Sequence, residues 1–366
     1  MSTVTTRRVA FLDLRVPDAE RAALVAAVTR VLEHGRIVLG PEVEQIERAV
    51  AQRVGRAHGI GVSSGTDACY LALRAIGVGP GDEVITTCLS WVATANAIRL
   101  TGATPVFADI RDDLNIDPES AARLVTPRTK ALMPVHYTGK VADMDALTAL
   151  ATQHGLDIVE DASQAFDARY KGKPAGSFGT VAAFSMNPMK VFAACGEAGM
   201  VVTDRDDLKE RLISLRYNGT VNRETCVTPS HNGRIDTLQA AILLERLPRV
   251  ASLVARRREI AGWYRELLGG VVRTPIERSE ETDVYYTYQV QTPRRDELKA
   301  FLEERGVETK IQHPLLMSQQ PIYTQGGCPN GERLVREILC LPAHEKLERD
   351  DIEYVARMVH EFFGSR

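Results

Sequence analysis

A chain of 366 residues is too long for one compact core and suits two domains of unequal size. Hydrophobic residues make up 44% and charged residues 25%, with a formal net charge of −3, so the composition is globular and no basic stripe favours nucleic acid. No segment is apolar for long enough to span a bilayer, residues 1–8 lack the apolar run of a signal peptide, and none of the six cysteines has a CxxC or Cys/His zinc spacing; the expectation is a cytoplasmic protein without a metal.

The first predicted element is an amphipathic helix over Glu20–Glu33, with Leu24, Val25, Val28 and Leu32 on one face and His34-Gly35 ending it. A second helix follows Gly40-Pro41, with Val43, Ile46 and Val50 at helical spacing. From His58 short apolar runs alternate with helical stretches. The predicted strands are Ile60–Val62, Val84–Thr87, Pro105–Asp109, Ala131–His136, Ile158–Asp161, Val181–Ser185 and Met200–Thr203. Helices are predicted between them over Asp67–Ile76, Val92–Leu100 and Met144–Gln153. This rhythm argues for an α/β fold, a mostly parallel sheet between helices. A long helical stretch, Thr237–Leu268, is interrupted at Pro248. Beyond it lie a predicted strand, Tyr285–Gln291, and helices at Asp296–Arg305 and Asp350–Phe363. The domain boundary is placed in the long helical stretch, giving a large domain over residues 1–248 and a smaller α/β C-terminal domain over 249–366.

Three segments carry chemistry. In Val62-Ser63-Ser64-Gly65-Thr66-Asp67-Ala68 a strand runs into a helix through small residues, which leaves backbone N–H groups and the helix dipole for an anion. A plain helix cap fits this stretch equally well. Glu160-Asp161-Ala162-Ser163-Gln164-Ala165 puts two acids at the end of an apolar strand, where open α/β sheets place ligands. A buried carboxylate there needs a partner, and a protonated pyridine nitrogen would serve; a capping aspartate is the plainer reading. Lys190 lies between the apolar strand ending at Ser185 and the Gly196-Glu197-Ala198-Gly199 segment. A lone lysine is ordinarily a solvated charge, but this placement aims it into the same strand-end crevice, where a lowered pKa would make it a nucleophile towards carbonyls.

An anion cradle, then an aspartate, then a lysine, in that order, resembles a fold type I pyridoxal-phosphate (PLP) enzyme, and the chain is similar to the DegT/DnrJ sugar aminotransferase family. Further motifs carry the resemblance: Gly40-Pro41-Glu42-Val43, Trp91-Val92-Ala93-Thr94-Ala95-Asn96-Ala97, Pro134-Val135-His136 with Ala142-Asp143-Met144-Asp145, Asn232-Gly233-Arg234 before Leu238-Gln239-Ala240-Ala241, and Leu341-Pro342-Ala343-His344.

The resemblance implies a role for each matched residue. Lys190 would carry PLP as a Schiff base and shuttle the proton. Asp161 would hold the pyridine nitrogen protonated, Gln164 would sit by the ring oxygen, and Trp91 would stack on the ring, although core packing is its plainer role. Gly65, Thr66, Asp67 and Ser185 would bind the phosphate. Asn232 would reach in from a second copy, making a homodimer with shared active sites; an ordinary turn asparagine is the alternative. The implied reaction passes an amine from L-glutamate, through pyridoxamine phosphate, to a keto-sugar, most simply a nucleotide-linked 3- or 4-keto-deoxyhexose. A sugar dehydratase on the same scaffold would carry histidine in place of Lys190. A PLP-binding regulator without turnover would be marked by loss of Lys190 or Asp161, and both are present. Four stretches depart from the family pattern: His136-Tyr137-Thr138-Gly139, Ser185-Met186-Asn187-Pro188-Met189-Lys190, Gly233, and Lys310-Ile311-Gln312-His313-Pro314. They border the substrate side, so the resemblance bears on the reaction more than on the choice of sugar.

Overall fold

The computed structural model of the protein describes residues 7–364. Its centre is a seven-stranded sheet made from the apolar runs of the first two-thirds of the chain: β1 (His58–Val62), β2 (Glu83–Thr87), β3 (Thr104–Ala108), β4 (Thr129–Met133), β5 (Asp157–Asp161), β6 (Val181–Ser185) and β7 (Gly199–Thr203). The strand order is β1-β7-β6-β5-β4-β2-β3. Pairing is parallel from β3 through β6, and β7 runs antiparallel to both β6 and β1. Every residue of β2 and of β7 is buried, as expected of a sheet covered on both faces.

Period-two alternation divides the strands between two cores. Ile85, Leu132, Ile158, Phe184 and Val202 face one way, against α2 (Pro41–Val54), α6 (Met144–His154) and α8 (Thr237–Arg246). Val84, Ala131, Val159, Ala183 and Val201 face the other way, against α3 (Gly65–Ala75), α4 (Ala93–Leu100) and α7 (Asp206–Leu215). Helix α1 (Asp18–His34) ends at Gly35, whose φ of 69° is the left-handed cap expected there. Its buried face, however, is Leu24, Ala27 and Val31; Val25 and Leu32 point outward, each 60% exposed. The helix is in the expected place but turned on its axis, packing Ala27 and Val31 against Ala241 and Leu238 of α8.

The C-terminal body is built from α9 (Val250–Leu268), β8 (Tyr288–Gln291), α10 (Arg295–Glu304), α11 (Pro329–Glu337), β9 (Ile338–Leu341) and α12 (Arg349–Gly364), with β8 and β9 antiparallel. Helix α9 serves both bodies: Val250 and Val254 lie in a core of the large sheet, whereas Ile260, Tyr264 and Leu268 lie in the C-terminal core. The break before α9 is a 3-10 turn at Leu247–Arg249 around Pro248. The strand predicted from Tyr285 begins only at Tyr288, since Tyr285 sits at φ 46°, outside extended backbone. Besides several two-residue strands and short 3-10 turns, four longer elements are not predicted: α5 (Pro118–Arg123), α7, α11 and β9. At α11 the misleading residues are Pro329 and Gly331. Proline suits a first helical position, and Gly331 has no room for a side chain, since a Cβ there would lie 2.7 Å from the Cys88 Sγ. Asp109 caps α11 from a distance, accepting from the N–H of Asn330 (2.9 Å) and Gly331 (2.8 Å). Among the described residues no helix is long and apolar enough to cross a membrane.

The end of β5 anchors the sheet to the segments around it. Glu160 is fully buried and accepts from the N–H of Gly176 (2.8 Å), Phe178 (2.7 Å) and Gly179 (2.6 Å). His136 Nε2 stands 2.9 Å away, while the His136 Nδ1 accepts from the Ala142 N–H. Burial by itself would raise this acid's pKa, but His136 and the backbone donors outweigh it and hold the carboxyl below its ordinary value. Glu160→Ala strands these donors in a dry site and should cost about 3–5 kcal/mol of stability, read as a fall in the urea unfolding midpoint; an unchanged midpoint would show that the cluster contributes nothing.

Candidate active site

The carboxyl ends of β1, β5 and β6 open into one cleft of about 490 Å³. Its first wall is the turn from β1 into α3. Ser64 caps the helix, its Oγ accepting from the Asp67 N–H at 3.1 Å. Gly65 follows against β6, where a Cβ would overlap that of Ser185 and lie 2.7 Å from the Ser185 Oγ. Only glycine lets the helix N-terminus come this close to the strand. Ser64, Gly65, Thr66 and Ser185 all line the cleft, so backbone donors, a positive helix end and hydroxyls converge on one spot suited to an anion.

The floor is Asp161, 4% exposed. Its Oδ2 accepts from Thr94 Oγ1 at 2.8 Å and its Oδ1 from the Ser163 N–H at 3.1 Å. Ser90 supports Thr94 at 3.1 Å. Burial, and next the charge of Asp161, push the Cys69 thiol beneath the floor well above its ordinary pKa. The β6–β7 connection carries Lys190 back over the cleft, its Nζ 4.5 Å from the centre of the Tyr286 ring. Gln164 is fixed by the Thr138 N–H, which donates to its Oε1 at 2.9 Å. Trp91 lines the opposite side and stays 62% exposed.

Seven of the nine residues singled out in the sequence therefore share this cleft: Gly65, Thr66, Trp91, Asp161, Gln164, Ser185 and Lys190. Asp67 and Asn232 are not among its lining residues. The Asp67 carboxylate turns away, accepting from the Ser63 hydroxyl and standing 2.9 Å from His231 Nε2, so its side chain steadies the turn from behind instead of facing the cleft as expected. Asn232 is exposed and bridges to Tyr217 through its backbone. Thr94, Ser163 and Tyr286 were missed. Thr94 could have been found from its place one helical turn after Trp91, whereas Tyr286 comes from the C-terminal body and has no local signal.

A carboxylate at the floor, an anion cradle at one end, a primary amine above and a flat indole at the side fit a planar phosphate ester with a protonatable ring nitrogen. Such a site on a mostly parallel α/β sheet defines a PLP-dependent aminotransferase. A protein of Streptomyces venezuelae described as dTDP-3-amino-3,4,6-trideoxy-alpha-D-glucose transaminase is 41% identical, covering 99% of this chain and 98% of its own. A Geobacillus stearothermophilus protein described as a pleiotropic regulatory protein is 39% identical over 93% of this chain and 94% of its own. The crystal structure of S. venezuelae DesV with a ketimine intermediate superposes with a TM-score of 0.94 at 42% identity, covering 98% of this chain and 99% of that one. Residues 18–360 match the DegT/DnrJ/EryC1/StrS aminotransferase family, and the chain belongs to it.

The contact between Gly65 and Ser185 yields a test. Gly65→Ala should lower stability by about 1–3 kcal/mol through overpacking and weaken retention of PLP, while Gly65→Ala with Ser185→Gly should regain part of the stability but not the cofactor, because it removes the Ser185 hydroxyl. Thermal midpoints and bound-cofactor absorbance read the outcome; an undisturbed single variant would show that the close approach is not needed.

Proposed function

We propose that the enzyme transfers an amino group from L-glutamate to the ketone of a nucleotide-linked sugar, a 3- or 4-keto-deoxyhexose. The observation that carries this reading is the meeting of Lys190 and Asp161 in one cleft with the Gly65–Ser185 cradle. Bound there, PLP supplies an electron sink that lets an amine leave one carbon and join another. Lys190 would be its covalent anchor, and the lysine amine would be the base that moves the proton. Asp161, oriented by Thr94 and the Ser163 N–H, keeps the ring nitrogen protonated. The backbone of Gly65 and Thr66, with the Ser185 hydroxyl, holds the phosphate. Gln164 has committed its oxygen to Thr138, which leaves its amide hydrogens for the ring oxygen. Trp91 gives the ring a stacking surface.

The nucleotide-linked substrate is supported by the S. venezuelae relative, described as acting on a dTDP-sugar. The Geobacillus relative raises the rival reading of a regulator. Turnover is favoured because this chain keeps both the lysine and the aspartate on which the chemistry depends. We further propose a homodimer in which Asn232 serves the partner's phosphate site. Its exposure, away from the cleft of its own chain, supports this.

Lys190→Ala should reduce turnover by at least about a thousandfold and abolish the absorbance of covalently held PLP. Substantial transamination by this variant would remove Lys190 from its role. Mixing inactive Lys190→Ala chains with inactive Asn232→Ala chains under subunit exchange should restore about a quarter of wild-type activity, since half of the dimers would be mixed and each would hold one complete site. No recovery after proven exchange would overturn the shared site.

A further inference from the structure

The sequence departs from its family in the segment around Lys310 and His313, and the structure brings both residues to the cleft. Backbone hydrogen bonds fix this segment to β9: the Lys310 N–H donates to the Cys340 oxygen at 3.1 Å, and the Cys340 N–H to the Lys310 oxygen at 2.9 Å. The Lys310 side chain is left at the mouth of the cleft. Among the described residues no salt bridge holds its ammonium or that of Lys190, the other lysine lining the cleft.

His313 is the second feature. It is 5% exposed, its Nε2 has no hydrogen-bond partner among the described residues, and its ring packs 6.1 Å from Trp91 and 5.7 Å from Tyr137. Burial, then the charges of Lys190 and Lys310, lower its pKa to about 4. It is therefore neutral at pH 7 and adds no positive charge. Neither of the acids that line the cleft forms an ion pair with Lys310: Asp161 accepts from Thr94 and Ser163, and Glu197 from Asn187 at 2.6 Å. A cation near a second lysine, with no free acid beside it, is a poor arrangement until a ligand brings negative charge.

We propose that Lys310 is a substrate-binding residue that receives an anionic group, a carboxylate or a phosphate, with His313 offering a hydrogen bond to the same molecule. This deepens the aminotransferase reading and rests on it. Two sources supply that chemistry: the carboxylate of the amino donor and the diphosphate of a nucleotide-linked sugar.

The test uses the holoenzyme and its Lys310→Gln and Lys310→Arg variants, titrated calorimetrically with glutarate, a dicarboxylate without an amine to transfer, and with dTDP and UDP. Lys310→Gln should bind one class of probe about tenfold more weakly, and Lys310→Arg should stay within about threefold of wild type. The thermal midpoint and the cofactor absorbance should not change. Loss confined to glutarate assigns Lys310 to the donor; loss confined to the nucleotides assigns it to the sugar substrate; loss of both assigns one anion subsite used in turn. Equal affinities in wild type and Lys310→Gln, or a wild type that binds neither class, would overturn the proposal. Failure of the aminotransferase reading would appear elsewhere, as full turnover by Lys190→Ala, which these titrations do not touch.

Discussion

A β-strand sends adjacent side chains to opposite faces, and at the end of β5 that rule separates two neighbouring carboxylates. Glu160 turns into the protein and gathers the N–H groups of Gly176, Phe178 and Gly179 together with His136. Asp161 turns into the cleft and is held by Thr94 and Ser163. The first acid fixes the strand end against the loop before β6, so the second has a defined position. Were the register shifted by one residue, the two carboxylates would trade faces: the donors at Gly176, Phe178 and Gly179 would lose Glu160, and the cleft would lose Asp161. Much of the site follows from this. The loop pinned by Glu160 leads into β6, which carries Ser185 and then Lys190.

The antiparallel strand β7 matters for the same reason. A parallel crossover would take the chain to the far end of the sheet before it returned. The β6–β7 connection instead stays at the carboxyl end, folded on itself by bonds from Met186 to Ala198 and from Ala194 to Met186, both 2.8 Å. Lys190 is thus kept above the crevice near the strand ends. The same strand closes the cradle from below. A Cβ at Gly199 would collide with the Ser64 backbone, so glycine is required where β7 passes beneath the turn. Two glycines, Gly65 and Gly199, let one turn touch two strands.

Much of this was legible in the sequence, because buried parallel strands read as short apolar runs and the chemistry lies at their ends. The seven strands of the main sheet were found within a few residues. The errors have local causes. The face of α1 was misread because Val25 and Leu32 are apolar yet exposed. Tyr285 reads as a strand residue because aromatic and β-branched neighbours imitate one, while its positive φ is invisible in sequence. Asp67 was grouped with the phosphate turn on position alone; its engagement with His231, more than 160 residues away, is a tertiary fact. Thr94, Tyr286 and His313 reach the cleft from separate elements, and only folding brings them together.

The exposure of Trp91 links the site to what surrounds it. An indole left 62% open is costly to hydrate, and its His313 neighbour covers only one side at 6.1 Å. Ile37, Val38, Met189 and Val227 are also exposed, between 41% and 59%. Scattered singly, exposed apolar residues need no explanation, but two of these five side chains, Trp91 and Met189, line the cleft itself. A planar ring over Trp91 would bury one face and leave its edge open. The proposed second copy, bringing Asn232, would then cover what the ring does not.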